Sequence, residues 1–201
     1  MSTLRINDLA VLDIQPASFT LQAGECVGLS GPSGEGKSLL LRAMADLIPH
    51  SGKIHLDGED CDHINPAQWR RRVGLLLPES HWWSDRVGDH FSRPDRDMVG
   101  VLGFNEAVFG WQISRCSSGE KQRLALLRLL ANQPQVLLLD EPTASLDPDN
   151  VGRVEALIEK YRHEHKAPVL WVSHDPAQLG RVASRQLRLE DKQLQEPVTC
   201  R

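Results

Sequence analysis

Basic residues are outnumbered in this chain: 23 lysines and arginines face 27 acids, a formal net charge of −4. That balance argues against broad electrostatic capture of nucleic acid or of an anionic membrane surface. Cysteine is scarce. Cys26, Cys61, Cys116 and Cys200 stand far apart, with no CxxC pair and no Cys/His ligand spacing. A structural zinc site is therefore not expected, and free thiols in a reducing compartment are. No apolar run approaches the roughly 20 residues that span a bilayer. The N-terminal "MSTLRINDLAVLD" carries acids and has no apolar h-region, so no secretory leader is expected. Work at a membrane would need another chain to provide the crossing. Internal repeats and low-complexity linkers are absent as well.

What is present is alternation. Strand-like runs come first, "LRI", "SFTLQ" and "CVGLS" at 26–30, and the last enters a glycine-rich loop and the apolar helix "SLLLRAMADLI". The strand "GKIHLDG", the short helix "NPAQWRRR" and the buried strand "VGLLL" at 73–77 follow. Residues 80–116 hold Trp82, Trp83, Phe91, Phe104, Phe109 and Trp111 with weak periodicity, which predicts a small, mostly helical insertion. Beyond it, helices at about 118–132, 148–164 and 176–183 alternate with strands at 136–139 and 169–172, and a hairpin ends the chain. Val151, Val154, Leu157, Ile158 and Tyr161 share one helical face. Asp147 followed by Pro148 predicts a helix N-cap and first turn. The expectation is one α/β domain over 1–201: a largely parallel sheet flanked by helices, with a β-rich N-terminal part.

"GPSGEGKS" at 31–38 fits G-x-x-x-x-G-K-[ST]. A loop that wraps a polyphosphate with its own N–H groups needs side chains absent at close approach, the task of Gly31, Gly34 and Gly36. Pro32, Ser33, Glu35 and, in the first helical turn, Leu39 complete the nucleotide-contacting run. Lys37 brings charge to the outer phosphates, Ser38 offers a hydroxyl to Mg²⁺, and the helix points its positive end at the anion. "VLLLDE" then sets Asp140 and Glu141 at the end of a buried strand, where ligands of open α/β sheets bind. Asp140 suits the metal beside Ser38; Glu141 suits polarisation of a water for attack on the γ-phosphate.

Together these pieces resemble the ATP-binding cassette (ABC) ATPases over nearly the whole chain. "SSGEKQR" looks like that family's signature segment, "TASLD" like its D-loop, and "VLWVSHD" ends a strand with His174 where the family has its switch histidine. Ser117-x-x-Glu120 is by itself a capping box. The resemblance adds that Ser117, Ser118, Gly119 and Glu120 face the γ-phosphate on a second cassette, so that two ATP molecules lie between two head-to-tail copies. It also implies a γ-phosphate contact for His174, an integral membrane permease as partner, and a seat on the cytoplasmic face of the inner (plasma) membrane.

The chain departs from the family pattern in places. Cys116 and Ser118 replace the leucine and one glycine of the signature. Glu79 stands where the family has a metal-sensing glutamine; it either approaches Mg²⁺ or lies in solvent on a shifted loop. Residues 1–18 contain no aromatic to stack on adenine, and Phe19 falls in an expected strand. Trp82 and Trp83 either line the groove for a helix of the membrane partner or pack in the core. The function implied is the ATPase subunit of a transporter, with small iron-export cassettes as the nearest likeness and haem-export cassettes next. A soluble ABC ATPase of nucleic-acid maintenance and a signalling cassette on a membrane complex are the alternatives.

Overall fold

A computed structural model describes residues 2–92 and 96–196; Cys200 and residues 93–95 of the expected insertion lie outside them. Strands β1 (Leu4–Val11), β2 (Ile14–Leu21), β4 (Ser51–Leu56) and β5 (Glu59–Asp60) form an antiparallel sheet in the order β2-β1-β4-β5. Six further strands make the central sheet: β3 (Cys26–Ser30), β6 (Val73–Leu76), β7 (Val136–Asp140), β8 (Val169–Val172), β9 (Arg185–Glu190) and β10 (Gln193–Gln195). Their order is β10-β9-β3-β8-β7-β6, and every pairing is parallel except the terminal hairpin β9–β10.

Both faces of the central strands are buried, so they read as continuous apolar runs. Side chains alternate between two cores. Leu138, Leu170 and Val172 join the N-terminal sheet and the helix after β3 on one face; Leu137, Leu139, Val169 and Trp171 face the other helices and the insertion. Among the described residues six α-helices cover this frame: α1 (Lys37–Met44), α2 (Pro66–Arg72), α3 (Arg96–Val101), α4 (Ser118–Leu130), α5 (Pro148–His165) and α6 (Pro176–Val182).

The same device starts α2, α5 and α6: a capping side chain followed by proline. Asn65 Oδ1 accepts from Ala67 N (2.9 Å), Asp147 Oδ1 from Asn150 N (3.0 Å) and Asp175 Oδ1 from Ala177 N (2.9 Å). Each cap satisfies a backbone donor that the first turn leaves open, while proline there has no donor to lose. Of the helical face read from the sequence, Val154, Leu157, Ile158 and Tyr161 are buried and Val151 is partly so.

Two elements differ from expectation. Helix α1 stops at Met44 because Asp46 turns left-handed (φ 54) and Leu47 N bonds Arg42 O (2.9 Å), a helix-ending turn. The insertion is less helical than predicted. Among its described residues it holds α3 and single 3-10 turns at Val87–His90, Glu106–Gly110 and Ile113–Arg115. Aromatic pairs hold it instead: Phe91 edge-on to Phe109 at 5.3 Å and Phe104 to Trp111 at 6.1 Å.

Cys26, Cys61 and Cys116 are buried and unpaired with one another. Burial pushes the thiols of Cys26 and Cys61 up to about 12, so they stay protonated and inert. Among the described residues no helix is long and apolar enough to cross a membrane.

Candidate functional site

Strand β3 ends at Ser30 and the chain turns through 31–36 into α1. Only glycine fits the first position of that turn: Gly31 has φ 145, and a β-carbon on it would sit 2.0 Å from Leu189 O. Lys37, 6% exposed, folds its side chain back along the loop. Its Nζ donates to Gly31 O (2.7 Å) and Pro32 O (2.8 Å). Burial holds its pKa below the usual lysine value, against the pull of Glu141, Asp140 and Glu35.

The loop is also clamped from a side that sequence motifs do not announce. Glu35 Oε2 accepts from Lys192 N (2.9 Å), and Lys192 Nζ donates to Gly34 O (2.9 Å). Lys192 also pairs with Asp13 (3.4 Å) in the β1–β2 turn. These partners are 157 and 158 residues from the loop in the chain, so no local pattern links them.

Strand β7 lies two places from β3 and carries Asp140 at its carboxyl end. Asp140 is 2% exposed, and its Oδ2 has no hydrogen-bond partner among the described residues. An orphaned buried carboxylate oxygen at the end of this strand suits a cation. Glu141 follows in a left-handed backbone conformation (φ 49), a state that costs about 1–2 kcal/mol for a residue with a β-carbon. Its Oε1 is buried without a hydrogen bond, 3.7 Å from His174 Nε2. Burial raises the Glu141 pKa, with His174 and Lys37 opposing the shift. His174 is half exposed at the end of β8, in a turn closed by Asp175 N donating to Ser173 Oγ (3.1 Å).

A cleft of ≈ 330 Å³ gathers Ser33, Gly34, Gly36, Lys37, Ser38 and Leu39 with Asp140, Glu141 and His174. Pro78 and Val172, neither named as a site residue from the sequence, complete its wall. Glu79 does not line this cleft. It is exposed and borders a neighbouring groove of ≈ 580 Å³ with His81, Trp83, Asp89, His90 and Arg128.

Ser117, Ser118, Gly119 and Glu120 do not line the cleft either. The capping box is present: Glu120 N donates to Ser117 Oγ (3.2 Å) and Ser117 N to Glu120 Oε2 (2.8 Å). Both serines remain exposed. Gly119 lies against the 143–147 loop, where a β-carbon would sit 2.8 Å from Ser145 O. Arg123 ties the segment to α5, its Nη1 donating to Asn150 Oδ1 (2.8 Å) and Leu102 O (2.6 Å).

The two tryptophans divide the alternatives. Trp82 is half-buried against the second core, edge-on to His90 at 4.8 Å; Trp83 is 72% exposed on the groove wall. Arg128 lies over both rings, at 4.5 and 4.9 Å. Gln122 is 4% exposed, and its Nε2 donates to the carbonyl of Leu77, one of the groove's lining residues (3.3 Å). Phe19 is 9% exposed within β2, part of the core.

The sequence model described as "ABC transporter" matches residues 14–144. The chain belongs to the ABC transporter family. It is similar to several ATP-binding proteins of that family. The probable iron export ATP-binding protein FetA of Escherichia coli is 36% identical over 176 residues, 81% of this chain and 78% of that protein. The lipoprotein-releasing system ATP-binding protein LolD of Hyphomonas neptunium is 34% identical over 201 residues, 90% and 87% of the two chains. Among solved structures, a bacterial Atm1-family ABC exporter with ATP bound superposes with a TM-score of 0.83 at 22% identity. That match takes in 97% of this chain and 38% of the exporter chain, and it shows the fold. As an ABC ATP-binding subunit, this chain binds and hydrolyses ATP to drive transport.

Proposed function

We propose that residues 1–201 act as one ATPase domain and that two copies close head to tail around two Mg-ATP molecules. In each copy the 31–39 loop cradles the phosphates, with Lys37 turning from the loop carbonyls to the outer phosphates. Ser38 and Asp140 would hold Mg²⁺, which neutralises phosphate charge when bound. Glu141 orients and deprotonates the attacking water, and His174 contacts the γ-phosphate and restrains the Glu141 carboxylate. Ser117, Ser118 and Gly119 serve the γ-phosphate of the opposite copy. The observation that carries this reading is their position: at the start of α4, with both serines exposed, and outside the cleft that holds Lys37 and Glu141. A helix N-terminus with an exposed hydroxyl at Ser118 suits an anion, and lying outside the cleft it would serve a nucleotide held by another chain.

The groove at Trp83 takes a cytoplasmic helix of an integral membrane permease, on the cytoplasmic face of the inner (plasma) membrane. Closing and opening of the pair then moves the permease. Glu79 belongs to this groove rather than to the metal, because it lines the groove and not the cleft. The likeness to the iron-export protein of Escherichia coli supports iron as cargo; the permease would select it.

Affinity purification of the tagged chain from detergent-solubilised membranes, with mass identification of its companions, tests the assembly. A stoichiometric multi-span protein is the expected result. Recovery of the chain alone, all in the soluble fraction, would overturn the membrane assignment.

A further inference from the structure

A cavity of ≈ 400 Å³ adjoins the cleft at Glu141 and His174, and Thr143, Ala144, Val151, Ser173, Asp175 and Gln178 complete its lining. Its least expected member is Gln178, a glutamine only 3% exposed on a seven-residue helix. Gln178 Nε2 donates to Thr143 Oγ1 (2.9 Å) and to Glu155 Oε1 (2.9 Å). The Thr143 hydroxyl, as donor, reaches Gln178 Oε1 (3.2 Å). Glu155 is held in turn by Arg181 (2.8 Å).

We propose that Gln178 is a positioning residue for hydrolysis, setting the loop that carries Glu141 in register with the turn that carries His174. Thr143 lies two residues past Glu141, and Ala144 N closes that turn onto Glu141 O (3.3 Å). Glu141 is held left-handed, a conformation that persists only where its surroundings fix it. Gln178 itself lies one turn into α6, whose N-cap Asp175 follows His174 directly. One buried amide thus joins the two arms of the site and anchors both to α5 through Glu155. Displacing a reacting group by about 1 Å costs on the order of a hundredfold in rate, so loosening this link should appear in turnover. The inference rests on the assignment of Glu141 as the base.

The test uses the full chain and four variants, each measured for kcat, KM, ATP affinity and thermal unfolding. Gln178→Leu keeps the volume and removes the amide; kcat should fall about tenfold or more with ATP affinity within about twofold of wild type. Thr143→Val, which tests the link without touching α6, should fall in the same direction. The double variant should be no slower than the slower single, because residues acting through one link are not additive.

Gln178→Glu supplies a readout that a packing role would not move. A carboxylate there faces Glu155 from α5, Glu141 and Thr143 from the loop after β7, and His174, Asp175 and Arg181 on its own side. The like charge of Glu155 favours a protonated carboxyl, which can donate as the amide does. The ratio of its kcat to wild type should therefore rise as pH falls.

A folded Gln178→Leu or Thr143→Val chain with wild-type kcat overturns the proposal. So does a pH-independent defect in Gln178→Glu. Glu141→Gln, run in parallel, separates the two claims: if it retains turnover, the assignment of Glu141 fails. If it abolishes turnover while Gln178→Leu does not slow it, only the positioning role fails.

Discussion

Gly119→Ala is a small change with a large consequence for the reading above. The added β-carbon would lie 2.8 Å from Ser145 O and 3.2 Å from Leu146 Cδ2. Ordinary contact begins near 3.4 Å, so the 143–147 loop or the start of α4 must shift by roughly 0.6 Å. Two opposing terms set the stability. Alanine gains about 1 kcal/mol over glycine in a helix, and overpacking costs about 1–3 kcal/mol. The net loss is at most about 2 kcal/mol, a fall in Tm of no more than about 8 °C for a domain of this size.

The rate is more sensitive. The shift displaces the signature segment and the loop just beyond Glu141, both of which would meet the nucleotide in the proposed closed pair. By the scaling of about a hundredfold per ångström, kcat falls about tenfold. Binding of ATP to the single chain is unchanged, because Gly119 lies outside the cleft. Steady-state phosphate release and ATP-induced thermal shift measure the two. A variant with wild-type kcat and Tm would refute the close contact and the argument built on it.

Lys37→Ala removes the donor that bonds Gly31 O and Pro32 O and the charge meant for the phosphates. At ATP a hundredfold above Kd the wild type gains about 2.7 kcal/mol, some 5–11 °C in Tm, and the variant should show little of it. Glu141, whose pKa burial raises, should put the acidic limb of kcat above the ordinary glutamate value of 4.5. The same shift makes the ATP-free fold lose stability as pH rises from the unfolded value through the folded one. Glu141→Gln, which never ionises, should thus be more stable than wild type above that window and no different below it, by thermal unfolding. Trp83→Ala should uncouple transport from hydrolysis in vesicles with Tm unchanged, whereas Trp82→Ala should lower Tm, since Trp82 packs on the core.

Much of this fold was legible because its signals are local. The glycine loop, the apolar β7 run ending in Asp140, and the cap-and-proline starts of α2, α5 and α6 each announce themselves within a few residues. What was not legible depends on distant partners. Lys192 clamps the phosphate loop from 157 residues away, and Gln178 meets Thr143 across 35. Among its described residues the insertion shows no long helix, because aromatic packing, which has no period, replaces helical periodicity there. Glu79 could be read toward either metal or solvent because no local pattern fixes the turn after β6; in the structure it is exposed beside the neighbouring groove. Trp82 and Trp83 share His90 and Arg128 as neighbours yet differ in burial, because Trp82 also packs on the second core while Trp83 stays 72% exposed.

The central claim is that the signature of one copy completes the ATP site of another. Glu141→Gln in saturating Mg-ATP tests it directly, by size-exclusion chromatography with light scattering. A stable ATP-dependent dimer, lost when Ser117 and Ser118 are replaced by bulky acidic residues, is the predicted result. A monomer at saturating Mg-ATP would contradict it.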